Sequence, residues 1–182
     1  AVRAEFGLSH TGWGTIYMAG TLLSAAVLPW TGPLVDRQNL RTFTMVVCAG
    51  IGLATISFAL APTTLFLIGA IFLLRQMGQG LAVHISSTAM VRSFHADRGK
   101  AVALSSLGVA VGESVLPFIA VLAIGVIGWR ATYGSGAVLM ALVVAPLVWW
   151  LLQTYREKDD IQPGDGSPGT DVTGRSWTRS QV

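Results

Sequence analysis

The stretch from residue 42 to 74, TFTMVVCAGIGLATISFALAPTTLFLIGAIFLL, contains no charged side chain. It is too long for one membrane crossing, because a helix rises about 1.5 Å per residue and the hydrocarbon core of a bilayer is about 30 Å thick. Pro62 disfavours helical backbone at the residue before it. The stretch therefore predicts two antiparallel membrane helices that are joined by a short turn around Pro62.

The rest of the chain has the same distribution of charge. It contains 182 residues, of which 52% are hydrophobic and 12% are charged, whereas globular proteins carry about 25% charged residues. The composition predicts an all-α polytopic membrane protein. Residues 1–12 are predicted to be an extracytoplasmic segment, and 13–152 a transmembrane bundle. We predict five membrane helices at 13–32, 42–61, 64–91, 100–127 and 131–152, followed by a flexible linker at 153–182 that is rich in Gly, Pro, Ser and Asp.

The positions of Lys and Arg predict the orientation of an integral protein in the cell (inner or plasma) membrane. Most basic residues near the helices lie in the loops at 33–41 and 92–100 and just after residue 155, and only Arg3 and Arg130 lie on the other side. Because short cytoplasmic loops are enriched in Lys and Arg, both loops and the C-terminus are predicted to be cytoplasmic. The N-terminus is then outside, so we expect a further helix before Ala1 and a chain that is a fragment of a longer protein.

The net charge of +3 does not indicate a nucleic-acid partner, because the basic residues lie between apolar runs and not along one face. Cys48 is the single cysteine and lies inside an apolar run. It therefore predicts neither a disulfide nor a metal site, and the sequence indicates no cofactor.

The loop GPLVDRQNLR, residues 32–41, combines a small residue, an acid and two basic residues at the edge of the membrane. Gly32 permits close helix packing, and Asp36 adds a negative charge beside Arg37 and Arg41. On the residues alone, an ordinary cytoplasmic loop with one locally paired acid is as good an interpretation as a functional motif.

The spacing Gly32-x-Leu34-x-Asp36-Arg37 resembles the loop signature between the second and third helices of the major facilitator superfamily. Asn39 stands where that family usually has Gly, and Asn is the next-best residue for a left-handed turn; Leu40 stands where a basic residue is usual. The resemblance implies that the loop controls a cytoplasmic gate, with these residues contributing: Gly32, Leu34, Asp36, Arg37, Arg41, Arg92 and Arg98.

The remaining helices resemble the same family in order. Arg75-x-x-Gly78-x-Gly80 is similar to the arginine-bearing fourth helix, and RSFHADRGKAVALSSLG at 92–108 is similar to the loop into the fifth. The resemblance covers helices two to six of the N-terminal half. It implies that a first helix and a C-terminal six-helix half of the same protein complete the molecule. The stretch at 6–37 looks most like members that move monocarboxylates or other small organic anions.

Three ionisable residues are predicted at membrane depth, namely Arg75, His84 and Glu113, and such residues usually mark substrate or ion paths. Mirroring the third and fourth helices about their loop puts Glu113 roughly 6 Å from the level of Arg75 along the helix axis. Arg75 is therefore a candidate to bind a substrate anion or to form a protonation-sensitive pair with Glu113, and a purely structural pair is the alternative. His84 is a candidate proton relay, although an interfacial or hydrogen-bonded histidine fits its position better.

Small residues and aromatic residues complete the sequence pattern. Helix packing is predicted at Gly78, Gly80, Gly108 and Gly112, with a kink at Pro117. Four tryptophans near the predicted helix ends are expected at the membrane interfaces, namely Trp30, Trp129, Trp149 and Trp150.

These features together predict a secondary active transporter that moves a small solute across the bilayer by alternating access, with proton coupling as a hypothesis. A non-transporting membrane receptor or assembly subunit is the alternative. A membrane enzyme is not expected, because one His, one Glu and one Arg spread over two helices do not form a catalytic site. No phosphate-binding loop is present in the sequence.

Overall fold

The structure is a computed structural model that describes residues 2–93 and 98–154, with the backbone alone at 92, 93, 98 and 154. The side chains of Arg92 and Arg98, to which the sequence assigns a gating role, lie outside the described residues. So does the predicted linker beyond residue 154.

Helices make up the regular structure of the described residues. They are α1 (Val2–Glu5), α2 (His10–Thr31), α3 (Leu34–Arg37), α4 (Leu40–Ala59), α5 (Thr64–Leu74), α6 (Val83–Ser93), α7 (Arg98–Leu139) and α8 (Ala145–Thr154). Two π-helical segments, Arg75–Ala82 and Met140–Val144, continue α5 into α6 and α7 into α8.

Four helical stretches are long and apolar enough to cross a membrane, namely His10–Arg37, Leu40–Ala59, Thr64–Val91 and Gly99–Gln153. The last has 55 residues, which at about 1.5 Å per residue is far longer than a bilayer is thick. It is divided at Gly128, whose backbone angles of φ 78° and ψ 163° are not helical and are readily adopted by glycine. The described residues thus form an all-α polytopic membrane protein with five spans, numbered in chain order.

Polar side chains begin three of the helices. Ser9 accepts a hydrogen bond from the Gly12 amide at 2.9 Å, and Thr63 accepts one from the Phe66 amide at 3.3 Å. Asn39 accepts from the Arg41 amide at 3.0 Å and the Thr42 amide at 3.4 Å. The left-handed turn expected at Asn39 is therefore wrong: its φ is −59°, because here the side chain caps α4.

The second span, α4, is the central helix of the bundle. On one side it packs against the third span, where Gly50 lies against Met77, and on the other against the fifth span, where Thr55 lies against Gly136. Two apolar clusters form the core, and we name the ends of the bundle after nearby residues. The cluster at the Glu5 end comprises Ile16, Phe58, Ala61, Leu67, Ala70, Ile71 and Trp129. The cluster at the Asp36 end comprises Val35, Leu40, Val47, Leu81 and Ile85.

The first and third spans approach each other closely at small residues. A Cβ atom added to Gly20 would lie 2.7 Å from Ile71 Cγ2 and 3.1 Å from the Ile68 carbonyl oxygen, and one added to Gly80 would lie 3.0 Å from Leu28 Cδ1. Gly80, at which helix packing is predicted, thus lies at this close approach.

The packing predicted for the other glycines is not made within the described residues. A Cβ at Gly78 or Gly108 would meet nothing within 4 Å, and one at Gly112 would meet only Leu116 of its own helix, at 3.9 Å. Small residues at helical spacing indicate that a face is thin, but they do not indicate whether a neighbour lies against it. The helix α7 continues through Pro117, and its non-helical residue is Gly128.

Replacing Gly20 with alanine should destabilise the bundle, because the backbone of the third span must move away from the new methyl group. Overpacking of this kind costs about 1–3 kcal/mol. We expect a lower unfolding temperature for Gly20→Ala in detergent, measured by circular dichroism. Gly14→Ala is the matched control on the same helix, since a Cβ there meets nothing within 4 Å; equal unfolding temperatures for the two variants would contradict this packing.

Glu5, Trp129 and Arg130 form a hydrogen-bonded group that we call the Glu5 cluster. Trp129 Nε1 donates to Glu5 Oε2 at 2.6 Å, and Arg130 Nη2 donates to Glu5 Oε1 at 2.8 Å. Arg130 also donates to the carbonyl oxygens of Ala59 and Ala61 at 2.7 and 3.1 Å, so it satisfies acceptors at the end of α4.

Trp129 is only 5% exposed. The prediction that it is an interfacial residue is therefore wrong, whereas Trp30 and Trp150 are 75% and 63% exposed.

The Glu5 cluster should open in acid. Hydrogen bonds from Arg130 and then Trp129 hold the pKa of Glu5 below its ordinary value, which is about 4.3. A lowered pKa means that the carboxylate is the stabilised form of Glu5. The stability that its hydrogen bonds add to the folded protein is therefore complete above pH of about 4.3, and it is lost as the pH falls through the lowered pKa. The emission of Trp129, in a variant with the other tryptophans replaced by Phe, should change with a midpoint below about 4.3. The same protein carrying Glu5→Gln should show no such transition, and a transition that persists in it would refute the assignment.

Candidate functional site

Arg75 begins the π-helical segment Arg75–Ala82, in the middle of the third span. Its side chain is half-buried, and its guanidinium carbon lies 4.6 Å from the centroid of the Tyr17 ring on α2. Such a cation–π contact stabilises a charge that cannot be removed by deprotonation. π-helical segments within α-helices occur frequently at functional sites.

Arg75 lines a pocket of about 250 Å³. Most of its walls are aromatic or apolar, and Gln79 adds a neutral amide. The residues that line this Arg75 pocket are Trp13, Tyr17, Phe58, Ile71, Leu74, Arg75, Gln79 and Tyr133. A cation beside aromatic faces can hold an anion that carries a ring, because the guanidinium group binds a carboxylate and the apolar walls accept the rest of the molecule.

Glu113 does not pair with Arg75. Among the described residues, no hydrogen bond or ion pair joins the two side chains, and Glu113 is exposed on the surface of α7. The helical rise predicts the depth of a residue but not its direction around the helix axis. Here the guanidinium group lies over Tyr17 of the first span, so the ion pair considered from the sequence is absent.

His84 lies near the Asp36 end of the bundle, nine residues beyond Arg75, which is roughly 13 Å along the helix axis. It is exposed and lines a cavity of about 510 Å³ together with Gly32, Asp36 and Thr88, which we call the His84 cavity. The structure therefore places the predicted proton relay beside the motif of the first loop and not beside Arg75.

The motif of the first loop divides into buried and exposed residues. Val35 and Leu40 are each 1% exposed within the core. The burial of Leu40 accounts for an apolar residue at this position, where the resembled family usually has a basic one. Asp36 and Arg37 are exposed, and Leu34 is 39% exposed.

Arg41 joins this loop to the last helix. Its guanidinium carbon lies 3.7 Å from the ring centroid of Trp149 on α8. A contact at this distance is a strong cation–π geometry. Trp149 was expected to be an interfacial residue, and the structure gives it this further role, which the sequence separation of the two residues conceals.

A buried polar group that the sequence analysis missed joins the first and third spans. Gln76 is 3% exposed and Ser24 is 6% exposed. The Ser24 hydroxyl donates to Gln76 Oε1 at 2.9 Å, and Gln76 Nε2 donates to the Thr31 hydroxyl at 2.6 Å. We call this the Gln76 bridge. The sequence feature that indicates this bridge is the neutral amide of Gln76 within a membrane span, although the adjacent charge of Arg75 is more conspicuous.

The comparison with protein families agrees with the helical architecture and the loop motif. The family model described as Major Facilitator Superfamily matches residues 1–180 of the chain. The chain belongs to the Major Facilitator Superfamily. Membership agrees with the membrane-spanning helices of the described residues.

Among curated proteins, this Major Facilitator Superfamily chain is similar to a gallate transporter from Pseudomonas putida. The two are 24% identical over 154 residues, which is 84% of this chain and 34% of the relative. The chain thus spans about a third of the length of that relative. No solved structure shows a significant match.

Proposed function

We propose that the complete protein is a secondary active transporter that moves a small organic anion by alternating access, and that Arg75 binds the anionic group. The observation that carries the proposal is the position of Arg75, a permanent cation that faces an aromatic pocket in the middle of a membrane span. Ionisable residues at this depth usually belong to substrate or ion paths.

The dimensions and chemistry of the Arg75 pocket support a carboxylate that carries an aromatic ring. Four aromatic side chains line the pocket, from Trp13, Tyr17, Phe58 and Tyr133, and their faces can stack with a ring. Similarity to a gallate transporter supports the same class, because gallate is a hydroxylated benzoate. Cation–π contact with Tyr17 holds the guanidinium group in place, and an incoming carboxylate would compete with this contact.

The loop at 33–41 is proposed to face the cytoplasm and to control the gate on that side. Its buried residues, Val35 and Leu40, anchor it in the core. Its charged residues stay at the surface, where Asp36 lines the His84 cavity and Arg41 contacts the last described helix. A gate needs this combination, because a rigidly anchored loop can transmit a movement of one helix to another. Arg92 and Arg98 are proposed to contribute from the second loop on the same side.

Proton coupling is proposed to involve Glu113, with His84 as a relay nearer to the Asp36 end. Glu113 is exposed on a face of α7 on which Val109 and Leu116 are 41% and 63% exposed. An isolated carboxyl group that contacts lipid would be strongly disfavoured. We therefore propose that the remaining half of the protein covers this surface and that Glu113 binds and releases a proton there.

A non-transporting receptor or assembly subunit is the second candidate. It would use the same helices but would not accumulate a solute against a gradient. The uptake measurements below separate the two, because a receptor can bind a ligand without concentrating it inside vesicles.

Arg75→Gln should abolish most transport. In proteoliposomes that contain the full-length protein, we expect the KM for labelled gallate to rise about 10–100-fold, since charge-assisted hydrogen bonds contribute about 1.5–3 kcal/mol. Arg75→Lys should retain part of the uptake, because it keeps the charge but loses the planar fork of the guanidinium group.

Arg3→Gln is the matched control for the loss of one arginine, since Arg3 lies outside the Arg75 pocket. If Arg75→Gln takes up gallate as well as Arg3→Gln does, at equal amounts of inserted protein, Arg75 does not bind the substrate.

Glu113→Gln should uncouple transport from protons. We expect uptake driven by an imposed pH gradient to disappear, while exchange of labelled for unlabelled gallate across the vesicle membrane continues. The control is Ser114→Ala, because among the described residues the Ser114 hydroxyl donates to the Ala110 carbonyl of its own helix and to no other group, at 2.8 Å. Normal gradient-driven uptake by Glu113→Gln would remove this residue from the coupling mechanism.

A further inference from the structure

Both polar atoms of the Gln76 amide are used within the protein. The carbonyl oxygen Oε1 accepts from Ser24, and the amide nitrogen Nε2 donates to Thr31, so one side chain of the third span is hydrogen-bonded to two side chains of the first. The group is 3% exposed. In an apolar environment a buried amide without partners is costly, so the bridge favours one relative position of the two helices over positions shifted along or around the axis.

The partners of the bridge share a face of α2 with the residue that contacts Arg75. Tyr17, Ser24 and Thr31 follow one another at intervals of seven residues, and a helix returns to nearly the same face after seven residues. On the other helix, Gln76 directly follows Arg75 in the π-helical segment. The bridge therefore lies on the same interface as the contact between Arg75 and Tyr17: it is adjacent to Arg75 on the third span and two turns beyond Tyr17 on α2.

The backbones are close enough here for the bridge to act on the position of Arg75. Ile71 of the third span fills the space beside Gly20, where a Cβ atom would lie 2.7 Å from it. Leu28 approaches Gly80 in the same way, with 3.0 Å to a Cβ atom there. Along the third span these contacts lie before and after Gln76, so a change at Gln76 cannot be absorbed by a loose interface.

We propose that Gln76 is a positioning residue for the Arg75 pocket: by joining the π-helical segment to Ser24 and Thr31, it sets the depth and rotation at which Arg75 meets Tyr17 and the substrate anion. The proposal rests on the function proposed above, in which Arg75 binds that anion. Gln76 does not line the pocket and acts through its neighbour. A residue that only stabilised the bundle would lower the unfolding temperature without changing the affinity for the substrate.

The first experiment compares gallate uptake by the full-length protein in proteoliposomes. Gln76→Leu and Thr31→Val should each raise the KM for gallate several-fold, with a smaller change in the maximal rate. Gln76→Glu should restore part of the affinity, because a protonated carboxyl group can accept from Ser24 and donate to Thr31. The matched control is Thr21→Val on the same helix, since within the described part of the chain the Thr21 hydroxyl donates to the Tyr17 carbonyl alone, at 2.8 Å.

A double-mutant cycle tests whether Gln76 acts through Arg75. In an Arg75→Lys background, Gln76→Leu should change the KM much less than it does in the wild type. Additive effects of the two substitutions, or a KM for Gln76→Leu equal to that of Thr21→Val, would overturn the proposal. Failure of the proposed function is a different result, namely gallate uptake that does not respond to Arg75→Gln.

The second experiment does not depend on transport. In a Cys48→Ala background, the thiol of the Gln79→Cys variant lies in the Arg75 pocket, four residues after Arg75 in the same π-helical segment. Its rate of reaction with a methanethiosulfonate reagent should change several-fold when Gln76→Leu is added and should stay constant when Thr21→Val is added. An unchanged rate with Gln76→Leu would overturn the proposal even if gallate is not the substrate.

Discussion

The interface between the first and third spans is the contact on which the Arg75 pocket depends. Apolar side chains have no hydrophobic drive to associate within lipid, so helices are held together by close packing and by buried hydrogen bonds. This interface uses both. Gly20 lets the backbones approach, and the short distance then permits the Gln76 amide to reach two hydroxyl groups on the opposite helix. Without the glycine, the bridge could not form with this geometry.

Hydrogen bonds at the Glu5 end fix the other spans around this pair. Arg130 donates to the carbonyl groups of Ala59, the last residue of α4, and of Ala61. The same side chain binds the carboxylate of Glu5. The break at Gly128 makes this possible, because it turns the chain and presents two consecutive polar groups, the Trp129 indole and the Arg130 guanidinium, to one acid. Phe58 then packs edge-on against Trp129, with 5.8 Å between centroids, and lies 4.4 Å from the Tyr133 centroid. The cluster is thereby connected to the wall of the Arg75 pocket.

The sequence predicts what depends on position along one helix and misses what depends on direction around it. Charge-free runs and Pro62 indicate where the spans lie, because the thickness of the bilayer constrains helix length. The predicted pair of Arg75 and Glu113 rested only on the depth of the two residues in the membrane. In the structure the guanidinium group of Arg75 lies over the Tyr17 ring. Trp129 donates to Glu5 and Trp149 contacts Arg41, and each of these partners lies more than a hundred residues away in the chain. No local pattern could therefore indicate these two contacts. Asn39 shows a different limit: the residue type was informative, but it fits both a left-handed turn and a helix cap, and the amides of the following turn decided between them.

The two cavities of the bundle are built from the same pair of helices. The Arg75 pocket uses Tyr17 on α2 and the start of the π-helical segment, whereas the His84 cavity uses Gly32 at the end of α2 and the first turn after that segment. Between them lie the Gly20 contact and the Gln76 bridge, which hold the two spans in one register. A pair of helices joined in this way would tilt as one body, so a movement at one cavity would displace the walls of the other. The substrate site and the gate proposed above would then be coupled through one pair of helices, as alternating access requires.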